Sequence, residues 1–513
     1  MRLDHLIIVI LYLATVIIIG AKSLIMNKTS DHFLFGASKM KGFSAAISTE
    51  ASDMSCWVFM GLPGYIYAYG AGKVWMAVGL LIGTIASWGF CSGRVMHFAG
   101  HMKSYTLPDF LSKRVAEKKN GTRMTASVLI LLYLMVYLAA SFSACATFFV
   151  RLSNDHFTYH QSLVIGTAVI LLYTYVGGFT AVCLTDLLQG IIMLGGLIIV
   201  PFLVLYHFDV HQIVPNLVRS GLDTSASDYL NASLSSGLPI EPRDVLSQLS
   251  WGLGYFGMPH IVMRFMVIRD EYALRKSRRL AIVWVLAALS GAVILGVVGR
   301  FYLYPKVLSA GYDYENVYME VVKKLFGTDI AVPFVGGIFA CALLSAIMSS
   351  ADSQLLAATS AAVKDCLHGI FFKNWKDHKV LDASRLAVSA IAIVSALSVW
   401  NHQVSVMQLV SLAWAGLGAT LGPSVLLALY FKRCRSEGMI AGMITGAVTV
   451  AVWNFVKLVF VSGEAYTLYE YTGVYALPVG FFANLFVAVV VSLIAGRNKV
   501  GEDKFEEIMQ EWI

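Results

Sequence analysis

Charged residues are scarce in this sequence. Aspartate, glutamate, lysine and arginine make up 13% of its 513 residues, whereas hydrophobic residues make up 58%. Soluble chains carry about a quarter charged residues. The deficit argues against one large soluble domain and predicts a membrane protein. The net charge of +7 does not indicate a nucleic-acid partner, because the basic residues lie in short clusters between apolar runs.

The motifs of several other protein classes are missing as well. The seven cysteines form no CxxC pair, so neither a disulfide framework nor a cysteine metal site is supported. The loops contain no metal-binding cluster, nucleophile elbow or pair of catalytic carboxylates, which argues against a membrane enzyme. A channel is disfavoured because we find no filter motif, and a sensor because we find no soluble signalling domain.

Long apolar runs are what the sequence does contain. A helix needs about 20 mainly apolar residues to cross a bilayer, and thirteen runs are candidates. They are 5–25, 43–70, 73–97, 125–150, 160–178, 182–207, 246–267, 280–304, 330–363, 383–400, 404–431, 438–460 and 472–496. Lysines follow the first run in place of a small-residue cleavage site, so we interpret it as a spanning helix and not as a signal peptide. A count that differs by two spans is left open.

Lysine and arginine are concentrated in alternate connections between the predicted spans, at 94–123, 264–279 and 364–385 among others. Such an excess is typical of cytoplasmic loops. The pattern predicts an N-terminus outside the cell, a cytoplasmic C-terminus and an odd number of spans, and it does not change if two spans are miscounted. Residues 106–119 are predicted to form an interfacial helix on the cytoplasmic side of the cell membrane.

The whole chain, 1–513, is predicted to be a single transmembrane domain in the lipid bilayer. Its predicted parts are an extra N-terminal helix at 5–25, a first repeat at 43–207, a second repeat at 246–431, two C-terminal helices at 438–496 and a cytoplasmic tail at 497–513. We expect no nucleic-acid partner, and nothing in the sequence requires an obligate protein partner.

Two of the predicted spans contain glycines and a proline at corresponding places. The second reads STEASDMSCWVFMGLPG (48–64), and the seventh reads LSWGLGYFGMPHIVMRF (249–265). They lie five spans apart, and an odd offset gives two five-helix repeats of opposite topology. A broken helix frees backbone N–H and C=O groups that an ion and a polar solute can bind. Glycines that only permit close helix packing are the alternative.

The ninth predicted span carries hydroxyl groups in helical register. Ala346, Ser349 and Ser350 lie on one helix face. Hard cations take oxygen ligands, so this face predicts a Na⁺ site. The backbone carbonyls of Ala51 and Met54, at the first break, would complete its shell. Alternatively, the serines bond to their own helix.

Three aspartates are predicted at membrane depth, where carboxylates are usually functional. Asp53 could bond the backbone N–H groups that the break frees, as a helix cap does. Asp186 could guard the exit of the ion or form a second cation site with Asp352 and Ser353. An interfacial helix cap is the alternative for Asp186.

Three further polar residues of these spans receive structural interpretations. Glu50 is interpreted as structural. His260 follows a proline and is interpreted as a hydrogen-bonded packing residue in preference to a proton relay. Arg264 lies near the end of its apolar run and is placed at the inner membrane interface.

Four segments resemble the sodium/solute symporter family, and the bacterial sodium/proline symporters in particular. They read EASDMSCWVFMGLPG, WGLGYFGMPHIVMRFM, AIMSSADSQLL and AWAGLGATLGPSVLLALY, and the resemblance covers nearly the whole chain. It implies an all-α, leucine-transporter-like fold of thirteen helices with an inverted five-helix repeat. It also implies a secondary active transporter, not an enzyme, in which the Na⁺ gradient drives uptake of a small organic solute such as proline.

The resemblance further implies which residues form the sites. The Na⁺ ligands fall on Ala51, Met54, Ala346, Ser349 and Ser350, and the functional carboxylate falls on Asp53. The substrate-binding positions fall on Ser55, Cys56, Trp57, Tyr137, Trp251, Tyr255 and Pro259, with Met258 beside them. A further cation site of some relatives falls on Asp186, Ser349, Asp352 and Ser353.

Two positions depart from the pattern of proline symporters, which usually read DMSGW and FGQPH. This sequence has Cys56 and Met258 there. The first change fills space beside the solute and the second removes a hydrogen-bonding amide, and such a loss can change discrimination by orders of magnitude. Another small amino acid or a carboxylate therefore stays open as the solute, and H⁺ stays open as the coupling ion.

Overall fold

The computed structural model describes residues 3–23, 29–36, 40–220, 226–306, 312–401, 404–461 and 464–512. Residues 24 and 25 of the first predicted span lie outside these ranges. Most of the described residues are helical, as the sequence predicts. Nine of the helices in the described ranges are long and apolar enough to cross a membrane. The count of thirteen spans stays a prediction.

Within the described ranges, the first part of the chain is mostly helical. Its helices are α1 (Leu3–Ser23), α2 (Ser30–Phe35), α3 (Gly42–Asp53), α4 (Cys56–Phe59), α5 (Gly61–Tyr69), α6 (Val74–Ala86), α7 (Ser92–Met102), α8 (Leu107–Arg114), α9 (Gly121–Leu152) and α10 (Tyr159–His207). A π-helical turn, Ser87–Cys91, joins α6 to α7. The helix predicted at 106–119 is shorter than expected: α8 starts after Thr106, whose hydroxyl accepts the Asp109 N–H.

Helix α10 covers two predicted spans, 160–178 and 182–207. It is not one straight rod, because Gly178 has φ 57° and ψ −168°, outside the helical region. Glycine adopts such a conformation without the steric penalty of a side chain. The expected separation of the two spans is therefore present as a kink at Gly178.

The middle of the chain begins with short elements and continues with long helices. They are α11 (Ile213–Arg219), α12 (Ala226–Tyr229), β1 (Leu234–Ser235), β2 (Leu238–Pro239), α13 (Pro242–Leu249), α14 (Pro259–Met266), α15 (Glu271–Tyr302), α16 (Val317–Lys324), α17 (Pro333–Thr359), α18 (Asp377–Ser398) and α19 (Val406–Tyr430). A 3₁₀ segment, Ser250–Phe256, separates α13 from α14, which is the predicted second break. A π-helical segment, Ser360–Phe371, extends α17.

The last part of the chain contains α20 (Ser436–Phe455), β3 (Lys457–Val461), β4 (Glu464–Thr467), α21 (Leu468–Thr472), α22 (Ala476–Ile494) and α23 (Lys499–Trp512). The span predicted at 438–460 is too long. Helix α20 ends at Phe455, and the residues after it form β3, which pairs antiparallel with β4. β-branched and aromatic residues in KLVFV favour a strand, although their apolar character looks like a continued span.

Helix α23 packs against the end of the molecule that carries α7 and α8. Ile508 is fully buried, and the ring of Phe505 lies 5.7 Å from that of Phe98. The Arg114 guanidinium lies 4.5 Å from the Phe505 ring and donates to the Gly501 carbonyl at 3.2 Å. We call the end of the molecule that carries α7, α8 and α23 the basic face.

On the basic face, the chain before the first broken helix is bonded to the chain after the second. The Met40 N–H donates to the Val267 carbonyl at 2.9 Å, and the Arg269 N–H donates to the Met40 carbonyl at 3.1 Å. The Ser277 hydroxyl donates to the Gly42 carbonyl at 2.8 Å. These bonds hold the start of α3 against the start of α15 and the end of α14.

Candidate functional site

The first break lies where the sequence predicts it. Helix α3 ends at Asp53, and Met54 (φ −76°, ψ 75°) and Ser55 (φ −78°, ψ −161°) leave the helical conformation before α4 begins. The Ser55 N–H bonds to the Asp53 carbonyl at 2.9 Å. In a continuous helix it would bond to the Ala51 carbonyl, so the break frees that carbonyl for another partner.

Helix α17 brings its serines to this carbonyl. The Ser349 hydroxyl donates to the Ala51 carbonyl at 2.7 Å, whereas the Ala346 carbonyl of its own helix is 3.4 Å away. The Ser350 hydroxyl is fully buried and has no hydrogen-bond partner among the described residues. A buried polar group without a partner is destabilising, and neutral oxygens suit Na⁺. The structure thus brings Ser349 to the Ala51 carbonyl, beside Met54 at the break.

Asp53 joins the two broken segments. Its Oδ2 accepts the hydroxyl of Tyr255 at 2.7 Å, and its backbone carbonyl accepts the indole N–H of Trp57 at 3.2 Å. Its Oδ1 is buried without a hydrogen-bond partner in the described part of the chain. Asp53 therefore connects the first break to the second through Tyr255, and we observe no bond from its carboxylate to the backbone N–H groups that the helix-cap interpretation expected.

The predicted substrate-binding residues of the first break meet α9. The hydroxyl oxygens of Ser55 and Tyr137 are 3.3 Å apart, and the Cys56 Sγ lies 3.8 Å from the Ser55 Oγ. The Tyr137 ring lies 6.5 Å from the ring of His260, the residue after Pro259. These side chains are buried, and the Ser55 and Tyr137 hydroxyl groups face each other at the first break.

The second break provides an aromatic wall. Trp251 stacks on Tyr475, with ring centroids 4.8 Å apart and planes inclined by 13°. The indole N–H of Trp414 donates to the Trp251 carbonyl at 2.8 Å, and the Tyr255 ring packs edge-on against Trp414 at 5.3 Å. Met258, which precedes α14, is fully buried. A cavity of about 620 Å³, lined by residues of α13 and α19 among others, reaches the tryptophan–tyrosine stack.

Asp186 lies in the interior and is paired with an arginine. Its Oδ2 is 3.1 Å from the Arg264 Nη2 and accepts the hydroxyl of Ser48 at 2.5 Å. The Arg264 Nε donates to the Ser48 Oγ at 3.0 Å. Asp186 lies in the interior of α10, so the helix-cap alternative for it is wrong. Arg264 has 1% of its side chain exposed, and its place at the inner membrane interface stays a prediction.

The structure brings Asp352 and Ser353 to the same cluster. The Tyr173 hydroxyl donates to the Asp352 Oδ2 at 2.6 Å, and the Ser353 hydroxyl lies 3.2 Å from the Asp352 Oδ1. The Arg264 Nη2 donates to the Ser353 Oγ at 2.7 Å. The residues predicted for a second cation site thus surround a guanidinium group, which already supplies a positive charge.

The sequence-based interpretations of Glu50 and His260 have different outcomes. Glu50 accepts the indole N–H of Trp88 at 2.7 Å and is buried, which agrees with a structural role. His260 is buried, but neither of its ring nitrogens has a hydrogen-bond partner among the described residues. His260 is therefore a packing residue, as predicted, but without the hydrogen bond that the interpretation expected from the described residues.

Sequence reasoning missed several residues of the site. Tyr173 could have been noticed as a polar side chain within an apolar run, and Ser48 as a serine one turn before Ser52 in α3. Trp414 and Tyr475 gave no local signal, because they reach the second break from α19 and from the residue before α22. Contacts of this kind become visible only in three dimensions.

Comparison with known sequences agrees with this architecture. The model of the sodium:solute symporter family matches residues 33–446. The osmoregulated proline transporter OpuE of Bacillus subtilis is 32% identical, over 98% of this chain and 97% of its own length. The sodium/proline symporter of Escherichia coli is 32% identical, over 94% of this chain and 91% of its own length.

Solved structures show the same fold at low sequence identity. A Na⁺-coupled sialic acid symporter superimposes with a TM-score of 0.76 at 16% identity, over 96% of this chain and 98% of that chain. Mhp1, a transporter of the nucleobase-cation-symport-1 family, gives a TM-score of 0.54 at 15% identity, over 93% of this chain and 99% of that chain. The leucine-transporter-like fold with two broken helices is thereby confirmed, and the chain belongs to the sodium:solute symporter family.

Proposed function

We propose that this symporter carries proline into the cell together with Na⁺. Its family couples solute movement to Na⁺ and consists of transporters, not enzymes. The observation that carries the proposal is the first break, where the Ala51 carbonyl faces the hydroxyl of Ser349 and the Ser55 hydroxyl faces that of Tyr137. Ion and solute would then bind to the same short segment, so each would stabilise the geometry that the other needs.

Proline is supported by relatives that are named as proline transporters. The high-affinity proline transporter PutP of Bacillus subtilis, for example, is 33% identical over 93% of this chain. The second candidate is another small amino acid or a carboxylate. Cys56 and Met258 favour it, because both are fully buried at the two breaks and replace the glycine and glutamine that proline symporters usually have.

We propose Ala51, Met54, Ala346, Ser349 and Ser350 as the ligands of the coupling Na⁺. For Asp186, Asp352 and Ser353 we propose a place on the exit path of the ion in preference to a second Na⁺ site. The reason is the Arg264 guanidinium, which bonds to both Asp186 and Ser353 and so occupies the position of a cation. Displacement of a salt-bridged arginine by Na⁺ would leave a buried charge unpaired.

We also propose the orientation and the division of the chain. The basic face is assigned to the cytoplasm, because α8 and α23 lie on it and the connections around them are rich in lysine and arginine. The N-terminus then lies outside. The two repeats are assigned to 43–207 and 246–431, each beginning with its broken helix.

The proposal is tested by uptake of labelled proline into proteoliposomes that contain the purified protein. We expect accumulation with an inward Na⁺ gradient and none with an equal K⁺ gradient. Unlabelled proline should abolish the uptake, and a panel of small amino acids and carboxylates should compete more weakly.

Three outcomes would change the conclusion. Uptake that persists without Na⁺ and follows an inward proton gradient would assign H⁺ as the coupling ion. Uptake that a different competitor suppresses more strongly than proline would remove proline and favour the second candidate. Na⁺-dependent binding of proline without accumulation would argue against symport.

A further inference from the structure

A pocket on the basic face has no part in the sites described above. Its volume is about 400 Å³, and its walls come from α2, α8, the start of α9 and the π-helical extension of α17. Five lysine and arginine side chains line it together with three aspartates. We call it the basic pocket.

All three aspartates of the basic pocket are bonded to other residues of its lining. Asp109 pairs with Lys113 at 2.8 Å and also with Arg123. The Asp365 Oδ1 accepts the hydroxyl of Thr106 at 2.8 Å and lies 3.8 Å from the Arg123 Nε. These contacts hold Lys113 and Arg123 in the wall of the pocket.

The remaining charges leave the pocket positive. Asp31 pairs with Lys364. Lys103 and Lys373 also line the pocket, and neither has a carboxylate partner within the ranges that the structure describes. A concave site with an excess of positive charge focuses the electric field and attracts an anion.

Gly369 shapes the wall of the pocket for a cationic group. A Cβ at this position would lie 3.0 Å from the Arg123 Nη1 and 2.9 Å from the Lys364 carbonyl. The guanidinium therefore lies where a side chain on residue 369 would push it away. A guanidinium with neighbouring ammonium groups is the donor set that binds phosphate oxygens well.

The pocket lies at the level where an apolar helix meets water. Phe371 and Phe372, at the end of the α17 extension, are 60% and 46% exposed, and Tyr105, in the pocket lining, is 50% exposed. Exposed aromatic side chains at the ends of spans are typical of the headgroup region of a bilayer. Basic pockets between spans at this level suit lipid headgroups.

We propose that the basic pocket binds the phosphate group of an anionic phospholipid. The headgroup would contact Lys103 and Lys373, while its acyl chains would lie in the bilayer beside Phe371. Such a lipid would link the connection between α7 and α8 to the residues that follow the extension of α17, the helix that carries Ser349 and Ser350. The site is independent of the solute and of the orientation proposed above.

The test compares two variants of equal charge change on the same face. Lys103→Gln with Lys373→Gln removes the two unpaired cations of the pocket. Lys118→Gln with Lys119→Gln removes two exposed lysines from the segment between α8 and α9, outside the pocket lining. Binding of short-chain phosphatidylglycerol, phosphatidylcholine and inorganic phosphate to the purified full-length protein in detergent is measured by native mass spectrometry and by the shift of the melting temperature.

We expect phosphatidylglycerol to bind the original protein and the Lys118/Lys119 variant equally, and to bind the Lys103/Lys373 variant about 30-fold more weakly, since each lysine near an anionic lipid contributes about a fivefold effect. Equal binding of phosphatidylglycerol to the two variants, or equal binding of phosphatidylcholine and phosphatidylglycerol, would overturn the proposal. Inorganic phosphate that binds as strongly as phosphatidylglycerol, with the same dependence on Lys103 and Lys373, would overturn the lipid as the source of the phosphate. Because the readout is binding, it does not depend on the transport assay.

Discussion

The hydroxyl groups of Ser349 and Ser350 differ in whether they have a hydrogen-bond partner. Ser349 already donates to the Ala51 carbonyl, whereas the buried Ser350 Oγ has no partner in the described part of the chain. Removal of the Ser350 hydroxyl therefore breaks no hydrogen bond among the residues that the structure describes. Its loss should be felt only when the ion is bound.

We expect Ser350→Ala to raise the Na⁺ concentration for half-maximal uptake about tenfold, the effect of one lost contact to a charged group. The maximal rate and the melting temperature should change little. Ser395→Ala is the matched control, because Ser395 is another buried serine whose hydroxyl has no partner in the described ranges. An unchanged Na⁺ dependence in the Ser350 variant would argue against the assigned ligand face.

Replacement of Met258 tests whether proline is the transported solute. If proline is the solute, Met258→Gln restores an amide at the restart of the second broken segment. We expect it to lower the proline concentration for half-maximal uptake roughly tenfold, as one regained polar contact would. Met258→Leu keeps the site apolar and should leave that concentration unchanged. A weaker proline interaction in Met258→Gln would favour a different solute.

Part of this site could be predicted from local patterns in the sequence. The spacing of Ser349 and Ser350 indicated a common helix face, and the polar stretch around Asp53 indicated the break. The pairing of Arg264 with Asp186 could not be predicted, because the two residues are 78 positions apart. An arginine near the end of an apolar run has the same local appearance at an interface and in a buried ion pair.

At the scale of elements, the sequence predicted both broken helices but did not predict the helix in the C-terminal tail. Glycine and proline weaken a helix for local reasons, and glycines do lie in the second interruption, Ser250–Phe256. The first interruption lies at Met54 and Ser55, before the glycines and the proline of its span, which are part of α5. The tail 497–513 was assigned only as a cytoplasmic segment, yet Lys499–Trp512 forms α23. Its stability depends on docking, since a short isolated helix is marginal in water, and docking partners are not encoded locally.

The docking of α23 depends on one fully buried side chain. Ile508→Ala should loosen α23 by about 2 kcal/mol or more through the lost burial of an isoleucine. Hydrogen exchange of the α23 amides measures this local opening. Val500→Ala, at a position that is 68% exposed, should leave the exchange unchanged. If both variants exchange equally, α23 is not held by its buried face.

At the scale of the whole molecule, orientation is the main property that a labelling experiment can decide. Leu238→Cys and Val500→Cys place thiols at positions that are 70% and 68% exposed, in β2 and in α23. The background needs serine at the two half-buried cysteines, Cys183 and Cys366. A membrane-impermeant maleimide should label residue 238 in intact cells and residue 500 only in inverted vesicles. The reverse pattern would place the basic face outside.

The general architecture was predictable because composition and hydropathy act over the whole chain. Hydropathy located the long spans, but it extended one of them into β3, since Lys457–Val461 is as apolar as a helix end. It also placed a boundary between two spans within α10, where the structure has the kink at Gly178. Hydropathy measures transfer into lipid and does not report backbone conformation, which explains the error at β3.

The main-chain bonds around Met40 have a consequence for movement. Because Met40 is bonded to both Val267 and Arg269, the two discontinuous helices share a seam on the basic face. A passage that opened between them would have to break both bonds at once. A movement that keeps these bonds would displace the two discontinuous helices together, relative to α9 and α17, which carry Tyr137 and Ser349.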